Sequence, residues 1–167
     1  MFKRFWQQFL LDLGEMEAEY RASHLRDDIR QSSFYILVAI ISVLGMIGTD
    51  AVLYRDQPGL FTWLIIYRVG FALISSLIMI ALWKTVTVRV YDRLMLAWMS
   101  FVGLFLLLFN FTRPADFLTT SYDVILPFAI YIISPLKLSY TLALALGFSV
   151  GIIYVVFSTR QGFPQPR

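Results

Sequence analysis

Cysteine is absent from this 167-residue chain, and histidine occurs once, at position 24. Without thiols there is no disulfide framework and no thiolate metal site. His24 alone cannot supply a zinc centre or a bis-histidine haem. No cofactor is therefore expected. Charged residues are scarce too, at 15%, and the formal net charge of +3 is modest and mostly flanks apolar runs, so nucleic acid is not an expected partner. Catalytic signatures are missing as well: the chain has no H-E-x-x-H, no G-x-S-x-G and no P-loop. These absences point away from an enzyme. A cleavable signal peptide is not expected either, because Asp12, Glu15 and Glu17 break the first apolar stretch and no small-residue cleavage site follows.

What the chain does have is apolar sequence in long blocks. Hydrophobic residues make up 59% of it and the mean hydropathy is +0.71, more than a soluble domain of this size covers with polar surface. Runs of about 18 or more apolar residues cross the hydrocarbon layer as helices. The blocks predict an all-α, polytopic transmembrane bundle of about five spans, near residues 34–53, 61–83, 94–111, 118–133 and 138–157. Asp56 with Pro58-Gly59 marks a turn after the first span, and a basic connector with Lys84, Arg89 and Arg93 follows the second. Pro127 and Ser134-Pro135 predict a kink in the fourth span and a break after it.

Ahead of the spans, residues 1–32 form a separate segment. Phe2, Phe5, Trp6, Phe9, Leu10, Leu13 and Met16 recur at helical spacing opposite Gln7, Gln8, Asp12 and Glu15. That pattern fits an amphipathic helix in the membrane interface, or one packed on a partner protein. Residues 17–32 are too charged to insert and read as a short cytoplasmic helix. Residues 33–160 make the bundle and 161–167 a polar tail. With five spans, Lys3, Arg4, Arg21, Arg26, Arg30, Lys84, Arg89, Arg93 and Lys137 fall on one side of the membrane. Arg55, Arg113, Arg160 and Arg167 fall on the other. The cationic excess places the N-terminus in the cytoplasm.

Ionisable residues inside the spans are costly and mark either structure or function. Asp50 near the end of span one and Arg68 early in span two lie at similar depth on neighbouring helices, so an ion pair between them is the simplest arrangement. It is either a pinning contact or part of an outward-facing ligand pocket. Asp123, following Thr119, Thr120, Ser121 and Tyr122, either joins them in one polar cluster or sits solvated at the interface. Gly147 and Gly151 form a G-x-x-x-G pair suited to close helix packing or dimerisation, and Gly45 and Gly48 mark another small face.

The charged lead-in YRASHLRDDIRQ, the acid Asp50, Arg68 within IIYRVGFAL and the hinge SPLKLSYTLAL together carry a resemblance over most of residues 18–160. The chain resembles the N-terminal six-helix membrane sensor regions that precede bacterial diguanylate cyclases of the GGDEF type and class III adenylate cyclases. It departs from them in lacking the sixth helix and the catalytic domain, so it is either a truncated membrane region or a small stand-alone relative. The resemblance implies a sensor or input module in a bacterial inner membrane, regulating a cytoplasmic cyclase-type domain. Such a module is expected to bind a lipid, a small apolar molecule or a partner helix, and to sit among membrane lipids as a homodimer or larger membrane complex.

The residues themselves also allow a structural or accessory subunit of a larger membrane complex, for which 15 Phe and 9 Tyr suit packing against other helices. A small transporter fits less well. In the inner half of span two, ALISSLIMIALW, Ser75 and Ser76 are the only polar residues, which makes a poor water path.

Overall fold

The computed structural model describes residues 15–110 and 138–160, with side chains for residues 19–109 and 140–155. Every element in them is helical: α1 (Glu15–Gly45), α2 (Ile47–Leu53), α3 (Pro58–Trp83), α4 (Val88–Asn110) and α5 (Leu138–Arg160). The expected fourth span, with Asp123, Pro127 and Pro135, lies outside the described residues, as do residues 1–14 of the amphipathic segment. Among the described residues, three helices are long and apolar enough to cross a membrane, and Tyr140–Val155 is a shorter apolar helix.

The charged segment and the first span are one continuous helix. At 31 residues, α1 is about 45 Å long, well over the roughly 30 Å of hydrocarbon, so its charged N-terminal half extends beyond the apolar layer. The helix stops at Gly45 and restarts at Ile47. Pro58-Gly59 does not separate the next span from its turn but begins it. Pro58 takes the first helical position, where a missing N–H costs nothing and its fixed φ favours the helix. Arg89 and Arg93, expected in the connector, belong to the first turns of α4, which leaves residues 84–87 as the link.

The described residues fall into two compact units, each treated by itself: Glu15–Leu94, and residues 95–110 with 138–160. In the first unit α1 packs along α3 and α2 packs on both. The inward face of α3 is Leu64, Arg68, Phe71, Ser75 and Leu82, a helical stripe. Its outward face carries Trp63, Ile66, Leu73, Leu77 and Ile80, all exposed. A soluble helix has the opposite arrangement. Here Arg68 and Ser75 turn into the bundle beside Leu64, Phe71 and Leu82, while the outward face is apolar, as expected of a helix whose solvent is lipid. Leu25, Ile29, Ser32 and Ile36 form the matching buried stripe on α1.

In the second unit, Phe105 and Phe109 of α4 and Phe148 and Val155 of α5 are buried. Phe105 and Phe109 stack with ring centroids 6.3 Å apart, a favourable offset aromatic contact.

Candidate functional site

The polar interior of the Glu15–Leu94 unit is concentrated at the two ends of the α1–α3 pair. At one end Arg68, on the inward stripe of α3, meets Asp50 on α2. Its Nε donates to Asp50 Oδ2 at 2.6 Å, and Nη2 lies 2.6 Å from the same oxygen. Both side chains are 1% exposed. Arg68 Nη1 also donates to the carbonyl of Val43 at 2.8 Å. Val43 lies in the last turn of α1, where a helix leaves its final carbonyls without intrahelical donors. One guanidinium therefore neutralises the acid on one side of the Met46 break and caps the helix on the other. Its positive charge also suits the negative end of the α1 dipole.

Asp50 Oδ1 is buried and accepts no hydrogen bond among the described residues. A buried carboxylate oxygen without a donor is costly and calls for one, from water or from a bound group.

The opposite end holds a junction that the sequence reading did not single out. Arg21 of α1 grips Asp92 of α4 in a bidentate pair, Nη1 to Oδ2 at 2.9 Å and Nη2 to Oδ1 at 2.5 Å. The side chains are 10% and 12% exposed. Beside it, Ser32 Oγ and the Tyr91 hydroxyl lie 2.7 Å apart, and that hydroxyl donates weakly to the Asp28 carbonyl at 3.4 Å. Trp83 Nε1 donates to Ser33 Oγ at 2.8 Å, while Ser33 donates back to the Ile29 carbonyl at 2.7 Å. Burial pushes the Tyr91 phenol up, so it stays a neutral donor. Burial also raises the Asp28 carboxyl, against the lowering charges of Arg21 and then His24.

One signal for this junction was present in the sequence. Asp92 is the only acid among Lys84, Arg89 and Arg93, and a lone acid in a basic stretch invites a cationic partner. Arg21 falls on the same helical face as Leu25, Ile29, Ser32 and Ile36, the face that is buried.

Of the expected cluster, the structure brings Asp50 and Arg68 together, and Asp123 lies outside the described residues. The two glycines of the G-x-x-x-G pair have different surroundings. A Cβ on Gly151 would stand 2.7 Å from Leu107 Cδ1, whereas one on Gly147 would meet nothing within 4 Å. Gly151 thus permits close approach of α5 to α4, and Gly147 is open. A further close approach, not expected from sequence, sets Gly103 of α4 against the Phe148 ring, 3.1 Å from where its Cβ would be.

Among the described residues, no group of three or more His, Cys, Asp or Glu side chains is placed to hold a metal. Comparison with protein-family models, with curated proteins and with solved structures finds no match for the chain.

Proposed function

We propose that this chain is a non-enzymatic membrane input module, in which a change at the Asp50–Arg68 end is carried along α1 to its charged N-terminal half. The observation that carries the reading is the double tethering of α1. Arg68 ties its apolar end to α3, and Arg21, Ser32 and Ser33 tie its charged end to Asp92, Tyr91 and Trp83. A continuous helix held by a polar contact at each end moves as a rod, so a change of partner at one end alters the geometry at the other. Asp50 Oδ1, buried and with no donor among the described residues, supplies a point where a small polar ligand would bias that contact. The cytoplasmic position of the charged half rests on the Lys and Arg distribution, and regulation of a nucleotide-cyclase-type domain rests on the resemblance alone.

The chain has no cysteine, so two introduced cysteines accept spin labels uniquely. With labels at Arg26→Cys and Arg93→Cys in lipid nanodiscs, the added substitution Asp50→Asn is expected to shift the distance distribution at the far end. An unchanged distribution, with the fold retained, overturns the transmission mechanism and favours a static accessory subunit.

A further inference from the structure

We propose that the α3–α4 link and the facing turns of α1 form a binding surface for anionic phospholipid headgroups. The inference concerns only the Glu15–Leu94 unit and holds whether or not the chain transmits a signal.

The hydrogen bond from Trp83 to Ser33 sets the register of α3 against α1. It places the end of the apolar stretch of α3 level with the start of that of α1. Arg30 and Arg26 then lie about 4.5 and 10 Å from Ser33 along α1, at roughly 1.5 Å per residue. The headgroup layer extends some 5–8 Å beyond the hydrocarbon, so Arg30 lies within it and Arg26 just past it, within reach of a long arginine side chain. Lys84, Arg89 and Arg93 lie just past Trp83 in the chain, and all five cations are exposed. Residues far apart in sequence thus gather at one end of the unit.

The acids that would cancel this charge are largely disposed of. Asp92, the only acid between Lys84 and Arg93, is buried and neutralised by Arg21. Asp27 is exposed and Asp28 half-buried, and burial raises the Asp28 carboxyl and weakens its hold on a negative charge. Glu19 lies about 21 Å from Ser33 along the helix, beyond the headgroup layer. Five cations therefore face two acids, one of them partly desolvated.

The apolar side chains among the cations fit a lipid rather than a soluble anion. Val86, next to Lys84 and Thr85, is 77% exposed, and Trp83 is 59% exposed with its indole N–H satisfied by Ser33. An exposed valine in a four-residue link and an indole with a wet edge are the groups that sit at the boundary between acyl chain and headgroup. Charge complementarity then selects anionic over zwitterionic lipid.

The test is native mass spectrometry of the full chain in mild detergent, titrated with phosphatidylglycerol or with phosphatidylcholine. The wild type is expected to bind phosphatidylglycerol more tightly, and added salt should weaken that binding. The variant Lys84→Gln/Arg89→Gln/Arg93→Gln should lose about a hundredfold in phosphatidylglycerol affinity and leave phosphatidylcholine binding unchanged. Arg89→Lys/Arg93→Lys should retain it, since charge is what the surface supplies. Arg55→Gln, an exposed cation at the other end of the unit, should have no effect. Equal affinity of the wild type for the two lipids overturns the proposal, as does a triple variant that keeps its preference. The salt dependence is read on the wild type and needs no variant to fold.

Discussion

Arg68 holds both sides of the break between α1 and α2, its Nη1 on the Val43 carbonyl at 2.8 Å and its Nε on Asp50 Oδ2 at 2.6 Å. A lysine offers a single donor nitrogen and no fixed fork, so both acceptors would have to converge on one atom. The break at Met46 is stable because the same residue neutralises one helix and caps the other. Removing it therefore exposes two costs at once, a buried lone carboxylate and a half-buried free carbonyl.

Arg68→Ala is expected to lower stability by about 3–5 kcal/mol, the usual result of leaving one member of a buried pair. Arg68→Lys should fall between it and the wild type. Asp50→Leu/Arg68→Leu should recover much of the loss, since the uncompensated charge is gone. Thermal unfolding in a single detergent ranks the four proteins, and an Arg68→Ala variant as stable as the wild type contradicts the assignment.

The Arg21–Asp92 pair is bidentate and nearly buried, so it should couple measurably. A double-mutant cycle with Arg21→Ala and Asp92→Ala is expected to give an interaction of about 2 kcal/mol, above the range of exposed pairs. The coupling should change little with salt, because the pair is shielded from mobile ions. Additive single-mutant losses would show that the two side chains do not depend on each other.

Asp28 should make the protein slightly less stable as pH rises. Its carboxyl is raised by burial, so the folded state favours the protonated form. The resulting penalty is absent below the ordinary carboxylate range, grows as pH rises through it and is complete above the raised folded value. Asp28→Asn keeps the backbone carbonyl that Tyr91 uses and removes the penalty. Its melting temperature should exceed that of the wild type at neutral pH, and the gap should close in acid. A gap that is constant with pH would rule out the titration of Asp28 as its source.

Gly147→Ala should be neutral or stabilising by up to about 1 kcal/mol, the helix preference of alanine over glycine with nothing in its way. At Gly151 the same change must displace Leu107, so its gain should be smaller or reversed, and Gly151→Val should cost about 1–3 kcal/mol. Equal effects at the two positions would argue against a tight α4–α5 approach at Gly151.

The inward face of α3 was legible in part. Arg68 stood out because a charge in an apolar run has few options, and Asp50 stood out as the nearest acid at the same depth. The Arg21–Asp92 junction was not read, because both residues lie in stretches rich in charge, where any one of them can be solvated at little cost. The Val43 carbonyl was beyond reach for another reason. Every residue has a carbonyl, and only the place where the helix stops makes this one need a donor. The G-x-x-x-G spacing named two glycines but could not tell which meets a neighbour, since that depends on the position of Leu107.

The sequence by itself determined that the described chain is helical, that its long apolar helices suit a membrane, and that no thiol or multi-histidine chemistry is available. Those properties follow from composition and run length, which act locally and need no partner. Tertiary structure decided that the charged segment and the first span are one rod, that Arg68 closes the break at Met46, that Arg21 takes Asp92, and that Trp83 sets the register through Ser33. The last three are contacts between residues 18 to 71 positions apart. Such contacts depend on depth, facing and distance between helices, and periodicity along one helix carries none of the three.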